Sequence, residues 1–394
     1  MENMKRKICL VTCNRAEYTH CRTLIQELLK NPQIDLRLVA IGSHLLERYG
    51  MTVNDIESHG HTVDYRIFME VEGNSPSTMA KSIGMALCDL ATYFENIKPD
   101  LVIAPMDRYE ITAVAIAAAF MNIPLAHMQG GEVTGTIDES TRHTITKLSH
   151  IHFPATEQSR ERIIKMGEKP ESVFNVGDPG TDLLLQAPQY SYEETVNFLN
   201  ELTTKKEGVK LNPSTPLILG LQHPVTTEFG SGFKQIQETL HALKRIQDHQ
   251  IIMLWPNIDA GGDDISRGIR NFIVEHGMEN MSIFKHIPYE IYVNLLRHAK
   301  CMFGNSSGGI RETCYFGLPT VNIGTRQQDR ERGKNVLDAP YDRDMIYRAI
   351  IKQINRGRYE QEFLFGDGSS GKRMADILTS IDLDKIEIQK RITY

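Results

Sequence analysis

The chain has 394 residues, 41% hydrophobic and 24% charged, the balance of a soluble globular protein too long for one ordinary core, which predicts two domains. Its formal net charge of −6 (44 basic minus 50 acidic residues) comes without a long basic run, which excludes a general nucleic-acid binder. No apolar run approaches the roughly 18 residues of a membrane span, and the six cysteines form no CxxC pair or zinc spacing, so neither a membrane protein nor a disulfide or structural-zinc framework is expected.

The opening MENMKRKICLVTCN runs from a short basic stretch straight into an apolar strand without a signal-peptide core, so a cytoplasmic protein is expected. Short β-rich runs follow at 7–12, 36–41, 101–105, 123–128 and 173–177, with helical segments between them. This βαβ rhythm predicts a mostly parallel sheet covered on both faces, with ligands at the carboxyl ends of the strands. The first Rossmann-like domain is assigned to residues 1–185. From 186 to 212 the chain turns polar, and a second set of runs at 216–221, 251–255, 281–285, 301–305 and 319–324 predicts a second Rossmann-like domain over 186–365. Residues 366–394 resume a helical pattern in KRMADILTSI; whether this helical tail packs back on the first domain stays open. The fold class expected is α/β, with the active site in the cleft between the two domains.

The loop after the first strand, TCNRAEYTHC, contains no glycine, so the GxGxxG cradle of a dinucleotide-binding domain is missing and a dehydrogenase loses its main support. Arg15 stands there instead, as a phosphate clamp or as a surface arginine. Asp107 and Arg108 follow LVIAP, and Glu132 and Asp138 lie in HMQGGEVTGTIDES. Three carboxylates converging on one strand mouth would shift one another apart, one staying protonated as an acid while another serves as a base. Taken singly, each reads as a helix cap or a solvated charge, and Arg142 and His143 suit either the mouth or an outer helix face.

In the second half, His223 precedes a proline at the end of a strand, and Asn257 and Arg326 follow strands. CMFGNSSGGIRETCYFG reads as strand, tight turn, helix, with Asn305, Ser306, Ser307, Gly308 and Gly309 at the helix start. Small residues there let a phosphate approach free backbone N–H groups, the serines add hydroxyl donors, and Glu312 is placed for ribose hydroxyls. The alternative is a serine N-cap on a surface helix.

Together, TCNRAEY, GSHL, DRYE, GGEVTGTIDES with RHTITKLSH, QHPVTT, PNIDAG, GNSSGGIRE and GTRQ resemble the hydrolysing UDP-N-acetylglucosamine 2-epimerases of sialic acid synthesis, including the epimerase half of the animal bifunctional epimerase/kinase. The resemblance implies a glycosyltransferase-B type fold, with the nucleotide on the second domain and the sugar on the first. It implies a diphosphate on Arg15, His223, Ser306 and Ser307, a ribose on Glu312 with Asn257 and Arg326 close by, and sugar chemistry at His44, Asp107, Glu132 and Asp138. The implied reaction eliminates UDP across C1 and C2 and adds water to the glycal so that C2 inverts, yielding UDP and N-acetylmannosamine without a metal or cofactor. The implied partners are the nucleotide-sugar substrate and UDP, in a homodimer or homotetramer.

Two residues depart from the family pattern: Gln129 stands where many members carry glutamate, and Met106 where many carry glycine. Related enzymes act on UDP- or GDP-linked 2,4-diacetamido-2,4,6-trideoxy sugars of legionaminic acid synthesis, so that substrate class stays open. A non-hydrolysing epimerase, a glycosyltransferase and a catalytically silent nucleotide-sugar sensor are the competing readings. Arg267 and Arg270 share a helix face; the resemblance offers a feedback site there, and an exposed charged helix is the simpler expectation.

Overall fold

The computed structural model describes residues 5–73, 75–202, 210–257 and 259–393. The chain divides into two compact units, one of Met1–Glu132, Ile137–Gln186 and Phe365–Tyr394 and the other of Val133–Thr136 and Ala187–Leu364.

The first unit holds β1 (Arg6–Thr12), β2 (Ile34–Ile41), β3 (Tyr65–Ile67), β4 (Leu101–Pro105), β5 (Leu125–Met128) and β6 (Ile151–Phe153) in the order β3-β2-β1-β4-β5-β6, every pairing parallel. Strand side chains alternate between faces, and β1 shows what each face covers. Ile8 and Leu10 enter a core with Tyr18, Leu24 and Leu28 of the helix Arg15–Lys30, whereas Cys9 and Val11 enter one with Ala86 and Leu90 of Pro76–Ile97 and Val114 of Tyr109–Phe120. Burial on both faces is why these strands read as unbroken apolar runs, each fully buried aliphatic side chain contributing about 2 kcal/mol. The strand order reverses between β1 and β4, so Asn14–Arg15 and Met106–Asp107 emerge side by side at the topological switch point, where open α/β sheets bind ligands.

The chain's last residues complete this unit. The helix Ser370–Ser380 packs on the helices Arg15–Lys30 and Pro179–Gln186 and gives Met374, Ala375 and Leu378 to the core under β1. Beyond it, Lys390 Nζ donates to the Lys147 carbonyl at 2.9 Å and to that of Ser149, and pairs with Glu168 at 2.6 Å. A cation so placed satisfies the last carbonyls of the helix Asp138–Leu148 and complements its dipole.

The second unit repeats the winding with β7 (Leu217–Leu221), β8 (Gln250–Leu254), β9 (Met281–Phe284), β10 (Met302–Gly304), β11 (Thr320–Ile323) and β12 (Val336–Ala339), ordered β12-β11-β10-β7-β8-β9 and again parallel. Its switch point lies between β7 and β10, which places the segments after Leu221 and Gly304 next to each other. Gly304 has φ +118°, and a Cβ there would lie 1.9 Å from the Leu221 carbonyl oxygen. Gly304→Ala is therefore expected to cost at least ~3 kcal/mol; an urea midpoint equal to that of the parent chain would show that the strand ends can separate.

Three strands departed from the sequence reading. β3 and β6 have three residues each and β12 four, and all three lie at sheet edges, where a strand pairs on one side only and needs no long apolar run. Conversely VFNVG, expected as a strand, makes only an isolated bridge between Val173 and His152. The helix expected after Ser307 is a single turn, Gly308–Arg311, followed by a 3-10 turn Thr313–Phe316 that Gly317 ends in a left-handed conformation. Among the described residues no helix is long and apolar enough to cross a membrane.

Candidate functional site

In the first unit the carboxylates gather around one arginine. Arg142, on the second turn of the helix Asp138–Leu148, has a fully buried side chain. Its guanidinium pairs closely with Asp107 Oδ2, donates to the Glu132 carbonyl oxygen at 2.9 Å and reaches Glu139 Oε2 at 3.1 Å. Burial acts to lower the arginine's pKa, but Asp107, Glu132 and Asp138 outweigh it and hold it above its ordinary value, so all three carboxylates lie within its field. Thr141 Oγ1 donates to the Asp107 carbonyl at 2.7 Å, tying the β4 mouth to the same helix. Asp138 is the first helical residue; the N-cap is Ile137, which has no side-chain bond to give.

The two strand ends that carry this group are strained. Met106 after β4 has φ +59° and Gln129 after β5 has φ +61°, a left-handed conformation that costs a side-chain-bearing residue about 1 kcal/mol. The His127 imidazole spans both: Nε2 donates to the Met106 carbonyl at 2.8 Å, which leaves Nδ1 to accept from Thr146 Oγ1 at 3.0 Å. Burial pushes its pKa down to about 3, so the ring is a neutral brace. Left-handed geometry at position 106 also explains why glycine suits it.

In the second unit, Asn305 links the ends of β7 and β10. Its Oδ1 accepts from the His223 backbone N–H at 2.7 Å and its Nδ2 donates to the His223 carbonyl at 2.9 Å. His223 Nδ1 accepts from the Asn257 backbone N–H at 3.1 Å, so the neutral ring carries its proton on Nε2 and presents a donor there. Asn257 Nδ2 donates to Asp259 at 2.6 Å, Arg326 lies 3.8 Å from the same carboxylate, and Arg326 also donates to the Asn305 carbonyl at 3.2 Å. Ser306, Ser307 and Gly308 are half-buried beside them; Ser307 makes no side-chain capping bond, whereas Ser306 Oγ accepts from the Gly308 N–H at 3.3 Å, so a serine cap is present and falls on Ser306. Glu312 accepts from the Tyr292 hydroxyl at 2.6 Å. Gly308 packs closely here, since a Cβ would sit 2.7 Å from both Glu312 Oε2 and Tyr292 Oη and would have to displace those side-chain ends.

Residues 26–379 match the UDP-N-acetylglucosamine 2-epimerase family. The UDP-N,N'-diacetylbacillosamine 2-epimerase (hydrolyzing) of Legionella pneumophila is 37% identical over 99% of this chain and 100% of its own length. The chain belongs to the UDP-N-acetylglucosamine 2-epimerase family. The UDP-N-acetylglucosamine 2-epimerase of Neisseria meningitidis is 30% identical over 98% of each chain, and the GDP/UDP-N,N'-diacetylbacillosamine 2-epimerase (hydrolyzing) of Campylobacter jejuni is 33% identical over 85% of this chain and 84% of its own. The crystal structure of the Neisseria meningitidis enzyme bound to UDP-GlcNAc superposes with a TM-score of 0.78 at 18% identity, covering 94% of this chain and 99% of that one. This epimerase therefore has the glycosyltransferase-B type fold.

Not every residue singled out from the epimerase sequence has the position expected of it. His44 is wholly buried, and both its nitrogens are engaged, Nε2 with Thr12 Oγ1 at 3.1 Å and Nδ1 with Thr52 Oγ1 at 2.8 Å. Burial pushes its pKa down to about 3, and the ring braces the ends of β1 and β2. Arg15 opens its helix half-buried beside the N-cap Asn14. Arg267 is exposed and paired with Asp264 at 2.8 Å, and Arg270 lies over the Trp255 ring. Arg142 and Asp259 are the residues the sequence leaves unassigned: the first suits either the strand mouth or an outer helix face, and the second sits in PNIDAG behind Asn257. Among the described residues no group of three or more His, Cys, Asp or Glu side chains could hold a metal ion.

A second buried acid pair lies beneath β1 of the epimerase. Glu17 accepts from the Cys13 backbone N–H at 2.8 Å, and Glu110 pairs with Arg108 at 3.0 Å. Burial pushes Glu17 up to about 8 against the Cys13 hydrogen bonds, with the Glu110 charge adding to the rise, and pushes Glu110 up to about 7 against Arg108. A carboxyl whose folded pKa is raised contributes stability fully below its unfolded value near 4.5 and loses it as pH rises through the folded value. Glu17→Gln is accordingly expected to match the parent chain at pH 5 and to exceed it by ~1–3 kcal/mol at pH 8. Urea unfolding at both values checks this, and an equal difference at the two would contradict a buried neutral Glu17.

Proposed function

We propose that the protein is a hydrolysing 2-epimerase that converts a UDP-linked 2-acetamido sugar and water into UDP and the free sugar inverted at C2. The observation that carries this reading is the convergence of Asp107, Glu132 and Asp138 on Arg142, together with 37% identity to a hydrolysing enzyme along nearly the whole chain. A C2 proton is hardly acidic until the C1–O bond lengthens and positive charge builds on the ring. The elimination therefore needs strong leaving-group stabilisation and a placed base. In this reading the Nε2–H of His223, the Ser306 and Ser307 hydroxyls, Arg326 and Arg15 stabilise the diphosphate as its charge develops, and Glu312 receives the ribose. One carboxylate beside Arg142 removes the C2 proton as the C1–O bond to UDP breaks. Water then adds across the C1–C2 double bond, its oxygen to C1 and a proton to C2 on the face that inverts it.

For the sugar, the relatives that are 37% and 33% identical are both named for N,N'-diacetylbacillosamine, which supports a 2,4-diacetamido substrate as the first reading; UDP-N-acetylglucosamine, first by motif resemblance, is the second reading and is supported by the 30% identical relative. Proton NMR of the protein with each nucleotide sugar in D2O tests both. UDP appearing with a free sugar deuterated at C2 is expected, from the diacetamido substrate faster than from UDP-N-acetylglucosamine. A nucleotide-linked epimer would instead mean non-hydrolysing chemistry, and two unchanged spectra would leave no basis for the activity.

A further inference from the structure

The end of β5 is anchored by a buried network in which one oxygen has three partners. Gln129 Nε2 donates to Asp178 Oδ1 at 2.7 Å; the same oxygen accepts from the Gly180 backbone N–H at 2.8 Å and faces His20 Nδ1 at 2.8 Å. Gln129 is 2% exposed, Asp178 1% and His20 7%, so water contributes little. A carboxylate only accepts hydrogen bonds, so every group facing it must be a donor. That fixes the Gln129 amide with its nitrogen toward Asp178 and its carbonyl oxygen turned away, and it fixes a proton on His20 Nδ1. Gly180 makes the approach possible, since a Cβ there would lie 2.3 Å from that ring nitrogen. An ionised carboxylate at 129 would bring two buried anions to 2.7 Å, whereas the amide supplies a donor to Asp178 without having to hold a proton.

The segment after Gln129 has almost no latitude of its own. A Cβ at Gly130 would meet Thr146 Oγ1 at 2.8 Å, and one at Gly131, which has φ +78°, would meet the Ser159 carbonyl oxygen at 2.2 Å. The backbone is held by the Gln129 N–H on the Phe153 carbonyl at 2.8 Å and by Arg162 on the Gly131 carbonyl at 3.2 Å, and the two ends are tied further by the Gln129 side chain on Asp178 and by the Glu132 carbonyl on Arg142. We propose that Asp178 is a positioning residue of the epimerase reaction: through Gln129 it sets the 129–132 segment and thereby the place of the Glu132 carboxylate beside Arg142. This rests on the reading above only in counting Glu132 among the groups that do the chemistry. It assigns Gln129 a donor's work, with the buried negative charge carried 49 residues later in the chain.

A double-mutant cycle tests it, run on whichever nucleotide sugar the parent enzyme turns over, with thermal melts to confirm folding. Asp178→Ala and Gln129→Leu are each expected to lower kcat ten- to a hundred-fold with KM within threefold, because the substrate-binding groups stay in place while Glu132 drifts. The double variant should cost no more than either single change, since both remove the same link. Asp178→Asn, which keeps an acceptor oxygen, should retain kcat within fivefold and so separate positioning from any need for charge. Additive losses, an Asp178→Asn as impaired as Asp178→Ala, or a folded Asp178→Ala with the parent's kcat would each overturn the proposal. Should Asp178→Ala fail to fold, Gln129→Leu and Asp178→Asn decide alone, by the same criteria. A parent enzyme that turns over no nucleotide sugar would remove the epimerase reading and this role together, whereas an active parent with unaffected variants would remove this role only.

Discussion

Asp107→Asn is expected to lower kcat at least 10³-fold while UDP affinity stays within threefold. The substitution keeps the size of the side chain and its place at the end of β4, where Thr141 holds the backbone, and removes its negative charge and with it the capacity to take a proton. Proton transfer by a placed group contributes about 10²–10⁴ in rate, and the loss of the Arg142 ion pair adds to it, because that guanidinium then faces Glu132 and Asp138 with one anion fewer. UDP affinity should survive, since His223, Asn257, Arg326 and Glu312 belong to the second unit and keep their own hydrogen bonds. Calorimetric titration with UDP alongside steady-state kinetics makes the comparison. Loss of UDP binding would assign Asp107 to the nucleotide, and a kcat within tenfold of the parent would remove it from the chemistry.

His223→Ala should act on the leaving group, lowering kcat about 10²–10³-fold, the range for removing one preorganised donor from developing charge, and weakening UDP binding about tenfold. The geometry supports a specific intermediate. The Asn257 N–H occupies Nδ1 and directs the proton to Nε2, so His223→Gln, whose amide nitrogen can lie near the Nε2 position, is expected to recover part of the loss. An inactive His223→Gln as poor as the alanine variant would argue for general acid catalysis rather than a fixed hydrogen bond. Parent-like kinetics and affinity in His223→Ala would withdraw the residue from the site.

What could be read from the chain follows from what each element must bury. β1, β4, β7 and β8 are covered on both faces and therefore announce themselves as apolar runs; β3, β6 and β12 are short edges with no such requirement and stayed hidden. The glycine-rich turn after β10 was legible because Gly304 answers a close backbone approach that leaves no room for a side chain, although the helix behind it proved to be one turn. The carboxylates were legible as candidates by residue type and by their position after strands. Their common partner was not, because whether Arg142 faces inward depends on how its helix lies across β4 and β5. For His44, the residue type and its position after a strand were legible, but the Thr12 and Thr52 hydroxyls that hold its two nitrogens were not. The pairing of Gln129 with Asp178 joins positions far apart in the chain and has no local pattern at all.

The return of residues 365–393 to the first unit has a consequence for synthesis. Domains generally fold as they leave the ribosome, in order from the N-terminus, but here the side of the first sheet that needs Met374, Ala375 and Leu378 stays uncovered until the translation of the second unit has finished. The later-encoded unit is thus the first whose long continuous segment has all emerged, and the earlier-encoded one waits, with apolar surface exposed, for the residues from Phe365 onward. A nascent chain stalled before Phe365 would present that open face to chaperones.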